Sequence, residues 1–290
     1  MKISVVGAGV IGQATGIGFF MKGNNVVFFD VDERKLEILE EKGYKTTEKI
    51  DYAIHNSDIV FVCVPSPTVD GSMDFSFLKG ASVDIADALR HVSSYRLIVV
   101  RSTVLPSTTR RKVVPILEQH SELKAGKDFG VCMNPEFLRE KSALQDFLNP
   151  SRIVIGELDK RSGDMLEELY KPFPAHLYRV DLDDAEMVKY VSNMFLASKI
   201  SFFNEIFIIC KELGLNSDVV SKIVALDPRI GEYGVYGGRP FEGSCLPKDL
   251  EAFISYVKSK KINPKLLEEV FRINQKISSY HSNNKATKET

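Results

Sequence analysis

The 290-residue sequence carries almost no net charge, with 38 basic residues against 39 acidic ones and a balance of −1. No global field therefore points to nucleic acid or to an anionic membrane, and an anionic ligand has to be held by local groups. Cysteine is scarce and scattered. Cys63, Cys132, Cys210 and Cys245 lie far apart without a Cys-x-x-Cys pair, which argues against a disulfide framework or a zinc cluster and favours a reducing compartment, the cytoplasm. The five histidines lack His-Glu-x-x-His spacing, so no metal is expected. No uncharged apolar run is long enough to cross a bilayer, so no membrane partner is expected. The N-terminal MKISVVGAGVIG is punctuated by glycine and lacks a cleavage pattern, so it reads as a buried strand and turn rather than a signal peptide. Repeats and low-complexity blocks are also missing. What remains, 44% hydrophobic and 27% charged, is the composition of a soluble protein with a sizeable core and room for two modest domains.

The first part alternates short β-branched runs with amphipathic stretches. Strand candidates are 2–6, 26–29, 59–64, 97–101, 130–133 and 153–156, with helix-period segments such as 32–42 between most of them. This alternation predicts an α/β fold with a Rossmann-like, doubly wound parallel sheet over 1–180. After Val180 the pattern changes. Asp183 or Asp184 can cap a helix running to about Leu213, with Met187, Val188, Val191, Phe195, Ile200 and Phe203 as its apolar positions. A helix that long suggests a spine between domains or subunits, opening a small all-helical domain over 181–280. The last helix is expected from Pro264 to about Ser279, and 281–290 read as a disordered tail.

Directly after the first strand, VVGAGVIG places Gly7, Gly9 and Gly12 at the turn into a helix, and the second strand ends at Asp30. Strand before, helix after and an acid at that distance together read as a dinucleotide site. Gly7 allows the tight turn, Gly9 lets backbone approach a pyrophosphate, and Gly12 permits close helix–strand packing. The helix N-terminus near Gly12, with Val10 and Ile11, would hold the pyrophosphate. Asp30 would accept from the ribose 2′-hydroxyl and repel a 2′-phosphate, which favours NAD over NADP; its plainer role is to cap the next helix. Pro65 and Ser66, Ser102 and Thr103, and Glu136 close later strands at the carboxyl edge, where ligands bind in open α/β folds, although each suits an ordinary loop or cap as well.

Cys245 stands between a glycine-bearing loop and the helix start Pro247-Lys248-Asp249. One reading is a small apolar filler. The other is a nucleophile, because a helix N-terminus and a nearby lysine both favour thiolate.

Seven stretches, VGAGVIG, VPSPTVDGSMDFSFL, VRSTVLPSTTR, NPEFLREKSALQDFLNPSRIVIG, EMVKYVSNMFLASKISFFNE, DPRIG and GSCLPKD, occur in order and jointly resemble the UDP-glucose/GDP-mannose dehydrogenase family. The resemblance covers the chain to about Ile277. It implies an NAD-dependent four-electron oxidation of a nucleotide-linked hexose at C6, most simply UDP-glucose to UDP-glucuronate. It places the nucleophile at Cys245, a base or water-orienting acid at Asp249, and charge stabilisation at Lys189 and Asn193. Thr103 and Glu136 match residues that handle the water and the proton. The same resemblance adds Lys35 and Lys248 to the cofactor contacts, together with Pro65, Ser66, Thr103 and Glu136. Phe137, Leu138, Arg139, Glu140, Lys189, Asn193, Arg229 and Gly243 become substrate contacts, and the spine helix a homodimer interface. Two departures stand out. The family continues into a second α/β domain beyond the spine, so a separate chain completing the substrate site enters the expectations. Glu242 stands where the family carries glycine, at a position where a positive φ would be lost. GDP-mannose as substrate, a two-electron β-hydroxyacid dehydrogenase, and a non-catalytic NAD-binding protein are the alternatives.

Overall fold

The structure, a computed structural model, describes residues 1–243 and 245–286. Its strands are β1 (Lys2–Val6), β2 (Asn25–Phe29), β3 (Lys45–Thr47), β4 (Ile59–Val62), β5 (Thr68–Val69), β6 (Ser72–Met73), β7 (Leu97–Val100), β8 (Gly130–Met133), β9 (Ile153–Glu157) and β10 (Leu177–Asp181). Eight of them form one sheet in the order β10-β9-β8-β7-β4-β1-β2-β3. β4, β7 and β8 are buried along their whole length, as unbroken apolar runs must be in a parallel sheet covered on both faces.

The sheet is not parallel throughout, as the sequence reading had it. β9 runs antiparallel to β8, with Cys132 opposite Glu157 and Met133 opposite Gly156. The connection after β8 does not cross back over the sheet. It folds into the short helix Ala143–Leu148 against the helix Val10–Met21, so β9 re-enters from the edge where β8 ended. The contact is intimate, because a Cβ on Gly18 would lie 2.1 Å from the Phe147 ring. Phe19 is the centre of this core. It is fully buried, and its ring lies 5.2 Å from Phe61, 5.0 Å from Phe147, 5.3 Å from Tyr170 and 5.8 Å from Phe173.

The chain divides into two compact units, one of residues 1–66 and 74–189, the other of 67–73 and 190–290. The hairpin β5–β6 thus belongs with the C-terminal helices. The strand candidates of the sequence do not include this stretch. Asp70 and Gly71 both take positive φ (48° and 72°), as an Asp-Gly turn between paired strands requires. Within the second unit the hairpin packs on the helix Leu246–Ser259, and the Thr68 hydroxyl donates to the Lys248 carbonyl at 2.9 Å.

The spine helix runs from Leu182 to Glu212. By length and composition it is the one described helix apolar enough to span a membrane, although charged side chains interrupt it. Its buried face is only partly the one expected: Phe203 is buried, as expected. Glu186, Lys189, Tyr190, Asn193, Ala197 and Asn204 are buried, whereas Met187, Val191 and Phe195 are exposed. Buried polar groups share that face with Leu182, Ala185, Met194 and Phe203. The last helix extends from Lys265 to Ala286, past the expected end near Ser279. The tail expected over 281–290 is thus helical as far as 286, and 287–290 lie outside the described residues.

Phe19→Ala should lower unfolding free energy by about 3–5 kcal/mol, the range for truncating a buried aromatic, read as an earlier urea midpoint at unchanged slope.

Candidate active site

Of the expected cofactor residues, those of the glycine turn follow β1, Asp30 follows β2, Pro65 and Ser66 follow β4, Thr103 follows β7 and Glu136 follows β8, at the carboxyl edge of the sheet. Lys248 belongs to the second unit. Gly7 takes φ +101°, and a Cβ there would meet the Cys63 carbonyl oxygen at 2.7 Å. A Cβ on Gly12 would lie 1.8 Å from the Gly7 carbonyl oxygen. The two glycines are therefore required by the protein itself. Gly9 is different. It caps the helix at φ −72°, open to any residue, and a Cβ there meets no atom within 4 Å. The space beside Gly9 is open and would admit a pyrophosphate. The helix begins at Val10, not at Gly12 as expected, because Gly9 already accepts the first helical bond, from Gln13, at 2.8 Å.

Asp30 is buried, and it is not the cap of the next helix; that position is Asp32. Its carboxylate accepts from the Ala8 amide at 2.7 Å and the Asp32 amide at 2.9 Å, and Lys35 Nζ lies 3.2 Å away. Asp30 thus ties the glycine turn to the end of β2. Lys35 reaches both oxygens, at 3.3 and 3.2 Å, so the carboxylate's roughly four lone-pair sites are taken, and a ribose hydroxyl would bind by displacing the Lys35 ammonium. Pro65 and Ser66 follow β4, and Thr103, half-buried, follows β7.

In the same unit Glu136, after β8, meets Lys189. The Nζ–Oε1 distance is 2.7 Å with both side chains almost wholly buried, and Glu136 Oε2 accepts from the Leu138 amide at 2.6 Å. Lys189 also lies 5.8 Å above the Phe137 ring, whose face carries the Arg152 guanidinium at 3.7 Å. Arg139 turns instead to Asp146, at 2.6 Å, and holds that carboxyl down at about 2. Glu140 is exposed at the start of a short 3₁₀ turn. Sequence reasoning missed the brace beneath this edge. Arg101, buried without a carboxylate partner among its described bonds, donates to Thr15 Oγ1 at 2.8 Å and to the Asn134 side chain, to which the Tyr170 hydroxyl also donates at 2.6 Å. Its only signal was a polar residue ending each of two apolar strands.

In the second unit Asp249 is 1% exposed. Its Oδ2 accepts from Asn193 Nδ2 at 2.7 Å and its Oδ1 from Lys248 Nζ at 2.5 Å. Lys248 is thus engaged by its neighbour's carboxylate. Cys245 is exposed at the N-cap of the helix Leu246–Ser259, and Pro247 lies in the first turn. The four cysteines are not chemically alike. Burial pushes the Cys63 thiol up to about 12 and the Cys132 thiol well above its usual range. The positive φ near this loop falls on Gly243 (90°), not on Glu242, so Glu242 costs no backbone strain. Arg229 is exposed and forked onto Asp227, with its NH2 at 2.6 Å. Among the described residues no cluster of His, Cys, Asp or Glu could hold a metal.

Residues 37–174 match the NAD binding domain, and residues 183–276 the central domain, of the UDP-glucose/GDP-mannose dehydrogenase family. The chain belongs to that family. GDP-mannose 6-dehydrogenase of Pseudomonas aeruginosa is 36% identical over 297 residues, covering 94% of this chain and 68% of its own length. UDP-glucose 6-dehydrogenase TuaD of Bacillus subtilis is 37% identical over 296 residues, covering 95% of this chain and 63% of its own. The structure of a UDP-glucose dehydrogenase from the archaeon Pyrobaculum islandicum superposes with a TM-score of 0.88 at 36% identity, over 94% of this chain and 68% of that one. Membership makes this UDP-glucose/GDP-mannose dehydrogenase homologue an oxidoreductase with NAD as its cofactor.

Two glycine variants separate the roles above. Gly9→Ala should leave the melting temperature unchanged yet weaken NAD binding by about tenfold or more, roughly 1.4 kcal/mol. Gly12→Ala should destabilise the fold by about 3 kcal/mol, since backbone oxygen cannot move aside. Calorimetric titration and thermal melting read the two.

Proposed function

We propose that the chain oxidises the C6 alcohol of a nucleotide-linked hexose to the carboxylic acid in two steps, with UDP-glucose as first candidate and GDP-mannose as the alternative. The observation that carries this reading is the buried 2.7 Å pair of Lys189 with Glu136. An ammonium is costly to bury, and a structural role alone gives no reason to place it at the ligand edge of a cofactor sheet. NAD, when bound, accepts a hydride in each oxidation.

The chain's own residues do the rest. Cys245 Sγ adds to the C6 aldehyde carbon, giving a thiohemiacetal that keeps the intermediate from leaving. Lys189 Nζ and Asn193 Nδ2 hold the developing negative charge on the C6 oxygen, as preorganised donors do. Loss of a second hydride and a proton leaves a thioester on Cys245. Water, oriented by Asp249 and Thr103 and deprotonated through Glu136, cleaves it to the carboxylate and the thiol. Overall one alcohol, one water and two NAD⁺ give one carboxylate, two NADH and three protons. Phe137, Leu138, Arg139 and Glu140 with Arg229 and Gly243 are the proposed substrate contacts. The four cysteines, none in a disulfide, agree with a cytoplasmic setting.

We also assign the exposed side of the spine helix to a homodimer. Val191, Phe195, Phe202 and Ile209 are each roughly half exposed or more. The last three recur every seven residues, the spacing of a helix–helix seam. The neighbouring helix Ser217–Val224 adds Val219 and Ile223.

With purified chain and NAD, UDP-glucose or GDP-mannose should yield two NADH per sugar, and Cys245→Ala should abolish the second equivalent. One NADH per sugar with Cys245 dispensable would mean a two-electron dehydrogenase, and none with NAD still bound a non-catalytic protein. Sedimentation at micromolar concentration should give a dimer that Phe202→Glu converts to monomer; a wild-type monomer contradicts the assignment.

A further inference from the structure

Glu186, in the second turn of the spine helix, is completely buried and has no part in the proposed reaction. Its Oε1 accepts from the Thr109 amide at 2.7 Å, whereas its Oε2 has no hydrogen-bond partner. Nearby, Thr109 Oγ1 shares that condition, and the buried Asp183 Oδ1 has no hydrogen bond and only the Arg110 guanidinium beside it, Nε at 3.5 Å. Unpartnered buried oxygens are rare, because each has given up its hydration for nothing. While Glu186 is ionised, two of the three are carboxylate oxygens that can only accept. A proton on Oε2 changes this. It turns Oε2 from an acceptor into a donor, and it removes one of two like charges.

The backbone that Glu186 holds is unusual. Ser107 takes φ +70°, and 109–113 form a π-helical turn; both are conformations that persist only when their surroundings impose them. The Ser107 hydroxyl donates to Asp183 Oδ2 at 2.7 Å. The same segment leads from Thr103, and the residue three places beyond Glu186 on the helix is Lys189. We propose that Glu186 is a positioning residue whose proton latches the 102–109 loop to the first turns of the spine helix, and that losing this proton loosens the loop. Its bearing on turnover rests on the roles assigned above to Thr103 and Lys189; the latch itself does not.

The charged groups facing Glu186 are few. Asp183 comes from its own helix, and Arg110 from the π-helical turn, 3.5 Å from Asp183 and clamped by Asp181 at 2.6 Å. Lys189 is taken up by Glu136. Burial pushes the Glu186 carboxyl from its ordinary 4.5 up to about 7 against the opposing bond from the Thr109 amide, and Asp183 adds to the rise. A raised folded value means that the closed loop binds a proton which the open loop releases. Opening therefore grows between about pH 4.5 and about pH 7, by as much as tenfold per unit, and levels off above.

Hydrogen exchange of the 102–113 amides in the full chain, from about pH 5 to about pH 8.5 and corrected for intrinsic rates, tests this. Wild type should lose protection by up to about tenfold per pH unit towards a plateau near 7, while E186Q, which keeps the acceptor for Thr109 and supplies an N–H in place of the proton, should give a flat profile. A flat wild-type profile, or an equal slope in E186Q, overturns the latch. If E186Q does not fold, Asp183→Asn takes its place: the plateau must shift to lower pH when the like charge is removed, and an unmoved plateau also overturns it. NAD binding at each pH verifies the fold. Because exchange needs no turnover, a chain that shows the pH step but makes no NADH refutes the catalytic reading and leaves the latch standing.

Discussion

A lysine ammonium buried in this protein has to be paired, and that requirement organises much of what surrounds it. Removing one ion of a buried pair typically costs about 3–5 kcal/mol, because the other is left charged and dry. Lys189 is 5% exposed and Glu136 6%, so each is tolerable only with the other. Holding them 2.7 Å apart fixes where the spine helix must begin relative to the end of β8. Asn134 helps set that end, since its side-chain amide donates to the Val154 carbonyl at 2.8 Å. The loop after β7 is joined to the same helix through Ser107 with Asp183 and Thr109 with Glu186.

Asp249 obeys the same rule. Buried more deeply than Glu136, it takes a neutral donor from Asn193 and a charged one from Lys248. Pairing in this way does not disarm such groups for chemistry. A buried ion pair is a preorganised dipole in a medium of low dielectric, where a new charge in the substrate is felt strongly. Cys245 contrasts with them, exposed at the start of a helix, while Cys132 is buried and Cys63 partly so, with both thiols pushed up. Of the four thiols, it combines access with the positive end of a helix.

The parts legible in the sequence were those in which one residue has one physical reason. The glycines of VVGAGVIG answer to backbone clashes of 2.7 Å and 1.8 Å, and an acid ending the second strand is a local signal. Six of the strands were visible as apolar runs. β3 and β10, short or half-exposed, carry no such run. The antiparallel entry of β9 depends on how the Ala143–Leu148 helix packs, which no local pattern encodes. The spine helix was found, but its buried face was only partly read: Phe203 is covered, whereas Met187, Val191 and Phe195 are exposed. Apolar periodicity marks which residues are apolar, not which are covered, and here polar side chains share the inner face. Glu136, Lys189 and Asp249 were named through family resemblance, yet only the fold shows that each is buried and paired. Asp70-Gly71 is a readable hairpin signal outside the strand candidates of the sequence.

The central claim is that the second oxidation takes place on a carbon bonded to Cys245. Rapid acid quench during turnover with NAD and UDP-glucose or GDP-mannose, followed by intact-mass and peptide mass spectrometry, tests it directly. A chain heavier by the sugar nucleotide less four hydrogens, with the added mass on the Cys245 peptide, is the thioester the account predicts. NADH accumulating at two per sugar with no adduct on Cys245 at any quench time, and undiminished in Cys245→Ala, would contradict it.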